Sequence, residues 1–209
     1  GFSYTLFSSK KSAGSKISFL NENYIICELT ENSFNTHFDF AIFCAGSSVS
    51  EKYIPIAVEH NCIVIDNSSF YRMNKNVPLV VPEVNSEDIC KHCGIISNPN
   101  CSTIQAVVPL KPINDKYKIK RIVYSTYQAV SGAGRFGIED LENKASGTKL
   151  KKFPYSIYNN CLPHIDDFTN DGYTKEEYKM INETRKILHE PQLPITATAV
   201  RVPVINCHR

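Results

Sequence analysis

The sequence lacks the features that mark membrane proteins, secreted proteins and nucleic-acid binders. No apolar run in its 209 residues approaches the roughly 20 residues that a membrane-spanning helix needs. The net charge is only +2, so no basic patch points to a nucleic acid or a membrane surface as a partner. No basic segment precedes an apolar stretch at the start, so we expect no secretory signal peptide there. The composition is that of a globular protein with one large domain or two small ones.

A disulfide framework and a complete metal site are also absent from the pattern of the eight cysteines. The cysteines are scattered, and Cys44 and Cys62 lie inside apolar runs, as small core residues do. This scatter favours a reducing, cytoplasmic location. Cys90 and Cys93 form a lone CxxC motif, but no second pair of ligands stands at the spacing of a zinc site. We therefore expect no bound metal.

The glycine-rich turn that follows the first strand of a dinucleotide-binding fold is missing as well, although the rest of such a fold is indicated. Residues 38–45 and 62–66 are apolar runs typical of buried strands, and residues 49–60 between them have a helical pattern. Strand, helix and strand predict a βαβ unit in a parallel sheet, with ligands at the carboxyl ends of the strands. With no initiator Met, we expect that the chain begins near the end of the first helix of this fold.

Two polar features could contact a cofactor or an anion. Lys10 and Lys11, in the loop 8–14 after a short predicted strand, would suit a 2′-phosphate, although a solvated basic loop is an equal alternative. Arg72 follows the second strand of the βαβ unit and is a candidate anion contact, with a surface arginine as the alternative.

From residue 101 the sequence predicts a second kind of domain. Residues 121–130 and 195–204 read as strands, and the first stops at the glycines of SGAG, where a ligand can approach the backbone. Thr174 and Glu177 form a capping box that opens a helix. Three charged residues share one face of this helix, which on a generic helix would be solvated: Glu176, Lys179 and Glu183.

Cys101 lies in the turn SNPNCST (97–103), immediately before a new apolar segment. If that segment is helical, the helix dipole and the unpaired N–H groups favour the thiolate, and the same N–H groups could stabilise an oxyanion. A buried structural cysteine is the alternative, because free cysteine is among the most buried residue types. Arg201, inside an otherwise apolar strand, needs an anionic partner or a pocket.

Five stretches, in order along the chain, resemble the aspartate-β-semialdehyde dehydrogenases. They are PLVVPEVN (78–85), SNPNCST (97–103), STYQAVSGAG (125–134), TKEE (174–177) with Lys179 and ETRKIL (183–188), and RVPV (201–204) followed by Cys207 and His208. The resemblance implies an α/β fold: a Rossmann-like NADP-binding domain at 1–100 and an α+β catalytic and dimerisation domain at 101–209. It also implies an internal fragment, in which the first domain lacks its N-terminal part and the second its C-terminal part.

The same resemblance implies an activity, the NADP-dependent reductive dephosphorylation of L-aspartyl 4-phosphate to L-aspartate 4-semialdehyde through a cysteine acyl-thioester. The setting would be the biosynthesis of lysine, methionine and threonine, in a cytoplasmic homodimer. Cys101 would be the nucleophile, His208 the general acid/base, and Gln128 the residue that orients the substrate.

Further binding roles follow from the resemblance alone. Arg201 would hold the substrate carboxylate and Glu176 its amino group. The phosphate would be bound by Arg72, Asn100 and Lys179. The residues against NADP would be Ser9, Lys11, Ser12, Ala45, Gly46, Ser131 and Gly132.

Two departures from the family pattern stand beside the predicted histidine: Cys207, where glycine is common, and Arg209, where serine is common. With the glycine-rich loop missing, we expect that the chain alone does not bind NADP normally and is inactive. Alternative functions are a related enzyme, such as N-acetylglutamyl-phosphate reductase or glyceraldehyde-3-phosphate dehydrogenase, a cysteine hydrolase using Cys101 and His208, or a non-catalytic fragment.

Overall fold

A computed structural model describes residues 1–143 and 149–207 of the chain. The chain divides into two compact units, Gly1–Val80 with Glu87–Asn98 and Val81–Ser86 with Pro99–Arg209. The division thus falls two residues before the predicted boundary, and the short segment Val81–Ser86 packs with the second unit. No helix in the described part of the chain is long and apolar enough to cross a membrane.

The first unit is organised around a parallel three-stranded sheet. Its strands lie side by side in the order β5 (Phe40–Phe43), β6 (Ile63–Asp66) and β7 (Ile95–Ser97). Helix α1 (Ser47–Glu59) connects β5 to β6, so the predicted βαβ unit is confirmed. Because Phe43, Asp66 and Ser97 are register partners, the loops that follow the three strands leave the sheet at the same edge.

Within the described residues, the core of the first unit covers one side of β5. Phe43, Ile54, Cys62 and Val64 are buried in it, which confirms the expectation for Cys62. Phe40 and Ile42 point the other way along the strand and are 61% and 71% exposed. The prediction of a fully buried strand at 38–45 is therefore wrong, because alternate side chains of a strand face opposite sides. Cys44 is exposed too.

Short strands precede this sheet. β1 (Phe7–Ser8) pairs in parallel with β4 (Cys27–Glu28), and β2 (Lys16–Phe19) forms an antiparallel hairpin with β3 (Glu22–Ile25). After the sheet's second strand, α2 (Pro82–Asn85) and a 3-10 helix (Ser86–Lys91) lead to β7.

The second unit is built on two long parallel strands. They are β8 (Ile122–Gln128) and β9 (Ile195–Arg201), which pair over their full length. Besides the short α2, its described helices are α3 (Cys101–Tyr117), α4 (Arg135–Glu142) and α5 (Lys175–Ile187). One face of the strand pair is buried, and the hydroxyl of Tyr124 on that face lies 3.0 Å from the Thr184 hydroxyl of α5. Val123 and Tyr127 project from the other, exposed face of β8.

Helix α5 begins as its sequence predicts. Thr174 is the N-cap and forms a capping box with Glu177. A stripe of its side chains is buried: Met180, Ile181, Thr184, Ile187 and Leu188. Glu177 also accepts a hydrogen bond from the Ala199 N–H at 2.9 Å, so this carboxylate ties the first turn of α5 to strand β9.

Candidate active site

The segment around Cys101 is built as the sequence predicts. Helix α3 starts at Cys101, and Asn100 caps it: its Oδ1 accepts from the N–H groups of Ser102 at 2.9 Å and Thr103 at 3.3 Å. Cys101 is exposed, so the alternative of a buried structural cysteine is wrong. Its thiol lies at the positive end of the helix dipole. Because Asn100 occupies the N–H groups of Ser102 and Thr103, these two donors are not available to an oxyanion.

Two carboxylates of α5 hold Asn100. The Asn100 N–H donates to Glu183 Oε2 at 2.7 Å, and its Nδ2 donates to the two oxygens of Glu176 at 3.0 and 3.2 Å. Glu176 is 6% exposed and Glu183 is 1% exposed, so the alternative of a solvated charge row is wrong for both. Their burial is tolerated because each carboxylate meets hydrogen-bond donors, which offsets the cost of removing it from water.

The carboxyl ends of β8 and β9 bring Gln128 and Arg201 side by side. The two residues are register partners, and both are buried. Gln128 Nε2 donates to Glu176 Oε1 at 3.3 Å. Arg201 Nη1 donates to the Ala129 carbonyl at 2.7 Å, whereas its Nε has no hydrogen-bond partner among the described residues.

The charge of Arg201 is only partly balanced. Burial lowers the pKa of its guanidinium, and the nearby Glu176 and Cys101 oppose that shift. Arginine nevertheless stays protonated at neutral pH, since the ordinary pKa of a guanidinium is far above 7. A buried guanidinium with an unused N–H donor is suited to a carboxylate ligand, as the sequence predicts for this residue.

Lys179 is held between two carboxylates. Its Nζ lies 2.7 Å from Asp166 Oδ2 and 3.4 Å from Glu176 Oε2. Burial alone would lower the pKa of Lys179, but the hydrogen bond to Asp166 and the charge of Glu176 outweigh it, so the pKa is raised. Asp166 has left-handed backbone geometry, with φ of 67°, and also accepts from the Asp167 N–H at 3.0 Å. The ammonium is thus kept charged, which an anion contact requires.

The second unit therefore collects most of the residues that the sequence singled out. The residues of this cluster, which we call the Cys101 cluster, are Asn100, Cys101, Gln128, Glu176, Lys179, Glu183 and Arg201. Glu176 is its centre, since Asn100, Gln128 and Lys179 all donate to it. His208, the predicted general acid/base, lies outside the described residues.

Two residues of the cluster and its surroundings were not recognised from the sequence. Glu183 received no role, although its seven-residue spacing from Glu176 places both side chains on one face of a helix. Asp166 carried no signal of its own, because it lies in an irregular loop and reaches Lys179 only through the fold.

The predicted cofactor residues of the second unit directly follow β8. Ser131 and Gly132 lie in a short 3-10 helix (Val130–Ala133). The Ser131 N–H donates to the Ile205 carbonyl at 3.0 Å, and Gly132 is exposed.

Arg72, the remaining predicted phosphate ligand, belongs to the first unit, whereas Asn100 and Lys179 belong to the second. It is buried, so the surface alternative is wrong, and its Nη2 donates to the Asn67 carbonyl at 3.0 Å. Asn67 in turn accepts from Asn98 Nδ2 at 2.6 Å. The loop ends after β6 and β7 are thereby linked beside Arg72.

The predicted cofactor residues of the first unit lie in two places. Ser9, Lys11 and Ser12 form a turn after β1, closed by the Ser12 N–H on the Ser9 carbonyl at 2.9 Å, and Lys11 is exposed. Ala45 and Gly46 follow β5 in the parallel sheet. No hydrogen bond within residues 1–143 joins these two places.

The loop after β5 fits a dinucleotide phosphate. Gly46 has φ of 95° and directly precedes α1, and the space where a Cβ would stand is open. A ligand can therefore approach the backbone there and meet the N–H groups of the first turn of α1, which favour phosphate. Among the residues that the structure describes, no group of three or more His, Cys, Asp or Glu side chains could hold a metal ion.

Two family models match the chain. Residues 3–92 match the semialdehyde dehydrogenase NAD-binding domain. Residues 110–209 match the semialdehyde dehydrogenase dimerisation domain. Together they account for most of the sequence and agree with an α/β fold of two domains.

Individual relatives carry the same description. The aspartate-semialdehyde dehydrogenase of Aquifex aeolicus is 52% identical over 97% of this chain and 62% of its own length. That of Campylobacter jejuni is 52% identical over 96% of this chain and 61% of its own length. The chain thus spans about three fifths of the length of the curated relatives it matches.

Solved structures agree with this similarity. Aspartate semialdehyde dehydrogenase II from Vibrio cholerae superposes with a TM-score of 0.92 at 42% identity, covering 98% of this chain and 63% of that one. The enzyme from Candida albicans, described with NADP, gives 0.73 at 27% identity, covering 98% and 61%. Since both models of one family match adjacent parts of the sequence and close relatives bear one description, the chain belongs to the semialdehyde dehydrogenase family, which confirms its resemblance to the aspartate-β-semialdehyde dehydrogenases.

Proposed function

We propose that the chain takes part in the NADP-dependent reductive dephosphorylation of L-aspartyl 4-phosphate to L-aspartate 4-semialdehyde. The observation that carries the proposal is an exposed thiol at the start of α3, next to a cluster of one guanidinium, one ammonium and two carboxylates. The relatives' name, aspartate-semialdehyde dehydrogenase, supports aspartate semialdehyde as the product. The reaction would serve the biosynthesis of lysine, methionine and threonine. A cytoplasmic setting is supported by eight free cysteines, because reducing compartments keep thiols unpaired.

The first chemical step requires a soft nucleophile, and Cys101 supplies it. Its thiolate attacks the acyl carbonyl, the bond between carbonyl carbon and phosphate oxygen breaks, and phosphate leaves with the electron pair. The acyl group remains on Cys101 as a thioester. His208 takes the thiol proton and later returns a proton to the sulfur.

The substrate is oriented by its two charged ends. Arg201, buried and with an unused Nε donor, suits the carboxylate. Glu176 suits the amino group, because a second cation can share the carboxylate that Lys179 contacts at 3.4 Å. Gln128, hydrogen-bonded to Glu176, is oriented towards the same site and places the acyl carbon near Cys101.

The leaving phosphate needs cations that stay charged. Lys179 meets this need, since its carboxylate neighbours raise its pKa, and Arg72 would add a bidentate contact. Asn100 can contribute only a side-chain donor, because its backbone N–H is bonded to Glu183.

NADPH, when bound, would supply the hydride that the acyl carbon needs in the second step; the bond between that carbon and the Cys101 sulfur would then break, and the aldehyde would leave. The residues that would hold NADP are Ser9, Lys11, Ser12, Ala45, Gly46, Ser131 and Gly132. The NAD-binding family model and the open backbone at Gly46 support this, and the exposed Lys11 favours a cofactor with a 2′-phosphate.

A homodimer through the second unit belongs to the same proposal. Residues 110–209 match a dimerisation domain. The open face of β8 carries Val123 and Tyr127, and apolar side chains on an exposed face favour a protein partner.

The acylation half of the reaction can be tested without a cofactor. Incubation with L-aspartyl 4-phosphate should release about one phosphate per chain and leave the aspartyl group on the Cys101 peptide in mass spectrometry. The Cys101→Ser variant should do neither. Acylation by N-acetylglutamyl phosphate instead would favour the related reductase, and absence of any Cys101 adduct would refute the proposal.

A further inference from the structure

We propose that Glu183 is a positioning residue for Cys101, acting through the backbone N–H of Asn100. The inference rests on the proposed function, because it takes Cys101 as the nucleophile. Glu183 lies two helical turns after Glu176 on α5, about 10 Å further along the helix axis. It is buried, and the reaction steps above make no use of it.

The contact has an evident physical reason. The N–H groups at the start of a helix have no partner within the helix, and Asn100 is buried, so water cannot satisfy its N–H freely. Glu183 Oε2 accepts that hydrogen at 2.7 Å. A charged acceptor forms a shorter and stronger hydrogen bond than a neutral one.

Asn100 is thereby fixed from three sides. Glu183 accepts its N–H, Glu176 accepts from its Nδ2, and its own Oδ1 accepts from the Ser102 N–H. The peptide that follows Asn100 is that of Cys101. Orientation of the reacting thiol is therefore set by two carboxylates of one helix, and displacements of about 1 Å at a nucleophile can cost on the order of a hundredfold in rate.

Charge gives a second consequence that a purely structural contact would lack. Arg201 on β9 is a charged group that bears on Cys101, and Glu183 accepts the hydrogen bond from the N–H of the preceding residue. Removing the Glu183 charge makes the thiolate easier to form, because a nearby negative charge disfavours it.

The experiment compares four forms of the full chain: the parent, Glu183→Gln, Glu183→Ala and the control Glu142→Gln, which changes an exposed residue at the end of α4. Phosphate release from L-aspartyl 4-phosphate gives the acylation rate. Iodoacetamide labelling of the Cys101 peptide across pH gives the midpoint of thiolate formation. Circular dichroism checks the fold.

We expect the acylation rate of Glu183→Ala to be about tenfold or more below that of the parent. The rate of Glu183→Gln should stay within about threefold of the parent, since the amide oxygen still accepts the hydrogen bond from the Asn100 N–H. The labelling midpoint should move to lower pH in both, and in Glu142→Gln it should not move. Unchanged rates and midpoints in folded Glu183 variants would overturn the inference. If Glu183→Ala does not fold, the midpoint of Glu183→Gln decides. A parent that is not acylated contradicts the proposed function instead, and the midpoints still test Glu183.

Discussion

Replacing Glu177 should destabilise the second unit more than replacing any exposed glutamate. One of its oxygens accepts from the Thr174 N–H at 2.7 Å and the Thr174 hydroxyl at 2.9 Å, and the other accepts from the Ala199 N–H at 2.9 Å. Thr174 and Ala199 are buried, so each N–H left unpaired costs about 1–3 kcal/mol. We therefore expect Glu177→Ala to lose about 3 kcal/mol of unfolding free energy.

The isosteric variant sharpens this prediction. In Glu177→Gln one oxygen is replaced by an NH₂ group, which then faces an N–H donor at either Thr174 or Ala199. One hydrogen bond is lost and two N–H donors face each other. The free energy of unfolding should therefore fall by about 2 kcal/mol, although the two side chains have nearly the same shape.

Equilibrium unfolding in urea measures these losses, and hydrogen exchange of the Ala199 amide reports on the second unit alone. The local probe is needed because a chain of two units need not unfold in one transition. Glu142→Gln, an exposed control, should stay within about 0.5 kcal/mol of the parent. If both Glu177 variants also stay within that margin, the capping box and the link to β9 do not stabilise the unit as argued.

Three further predictions concern charge and association. Burial of Asp140 would raise the pKa of its carboxyl, but the three backbone N–H donors of residues 151–153 outweigh burial and lower it. The stability that this carboxylate contributes is therefore present above the unfolded pKa of about 4 and is lost as pH falls through the folded pKa. Asp140→Asn should lack this loss in an acid titration and should be about 2 kcal/mol less stable than the parent at pH 7. Lys179→Met should raise the acyl phosphate concentration that gives half-maximal acylation of Cys101 about tenfold, with Lys179→Arg as the partial rescue in single-turnover kinetics. Tyr127→Glu should shift the chain to monomer in analytical ultracentrifugation, and an unchanged sedimentation coefficient would argue against the open β8 face as the interface.

Local patterns in the sequence were sufficient for the elements that hold the site. The capping box at Thr174 and the position of Cys101 at the start of α3 depend on neighbouring residues only, and both were predicted. The βαβ unit followed from the order of apolar runs for the same reason.

Burial of individual side chains was harder to predict. Glu176 and Glu183 have the pattern of a solvated helix face, and only the donors that tertiary packing brings to them make burial possible. Phe40 and Ile42 have the pattern of a buried strand, yet the described residues cover only one side of β5. In both cases the outcome depends on partners that are distant in sequence, which periodicity does not reveal.

The full-length pairing of β8 with β9 also limits how this sequence can change. Gln128 and Arg201 face each other only because both strands keep their register from Ile122 and Ile195 onward. Loss or gain of one residue inside either strand would turn the side chains beyond it to the opposite face of the sheet. Length variation among homologues should therefore be excluded from both strands and concentrated in the irregular connection between α4 and α5, a pattern that an alignment can check.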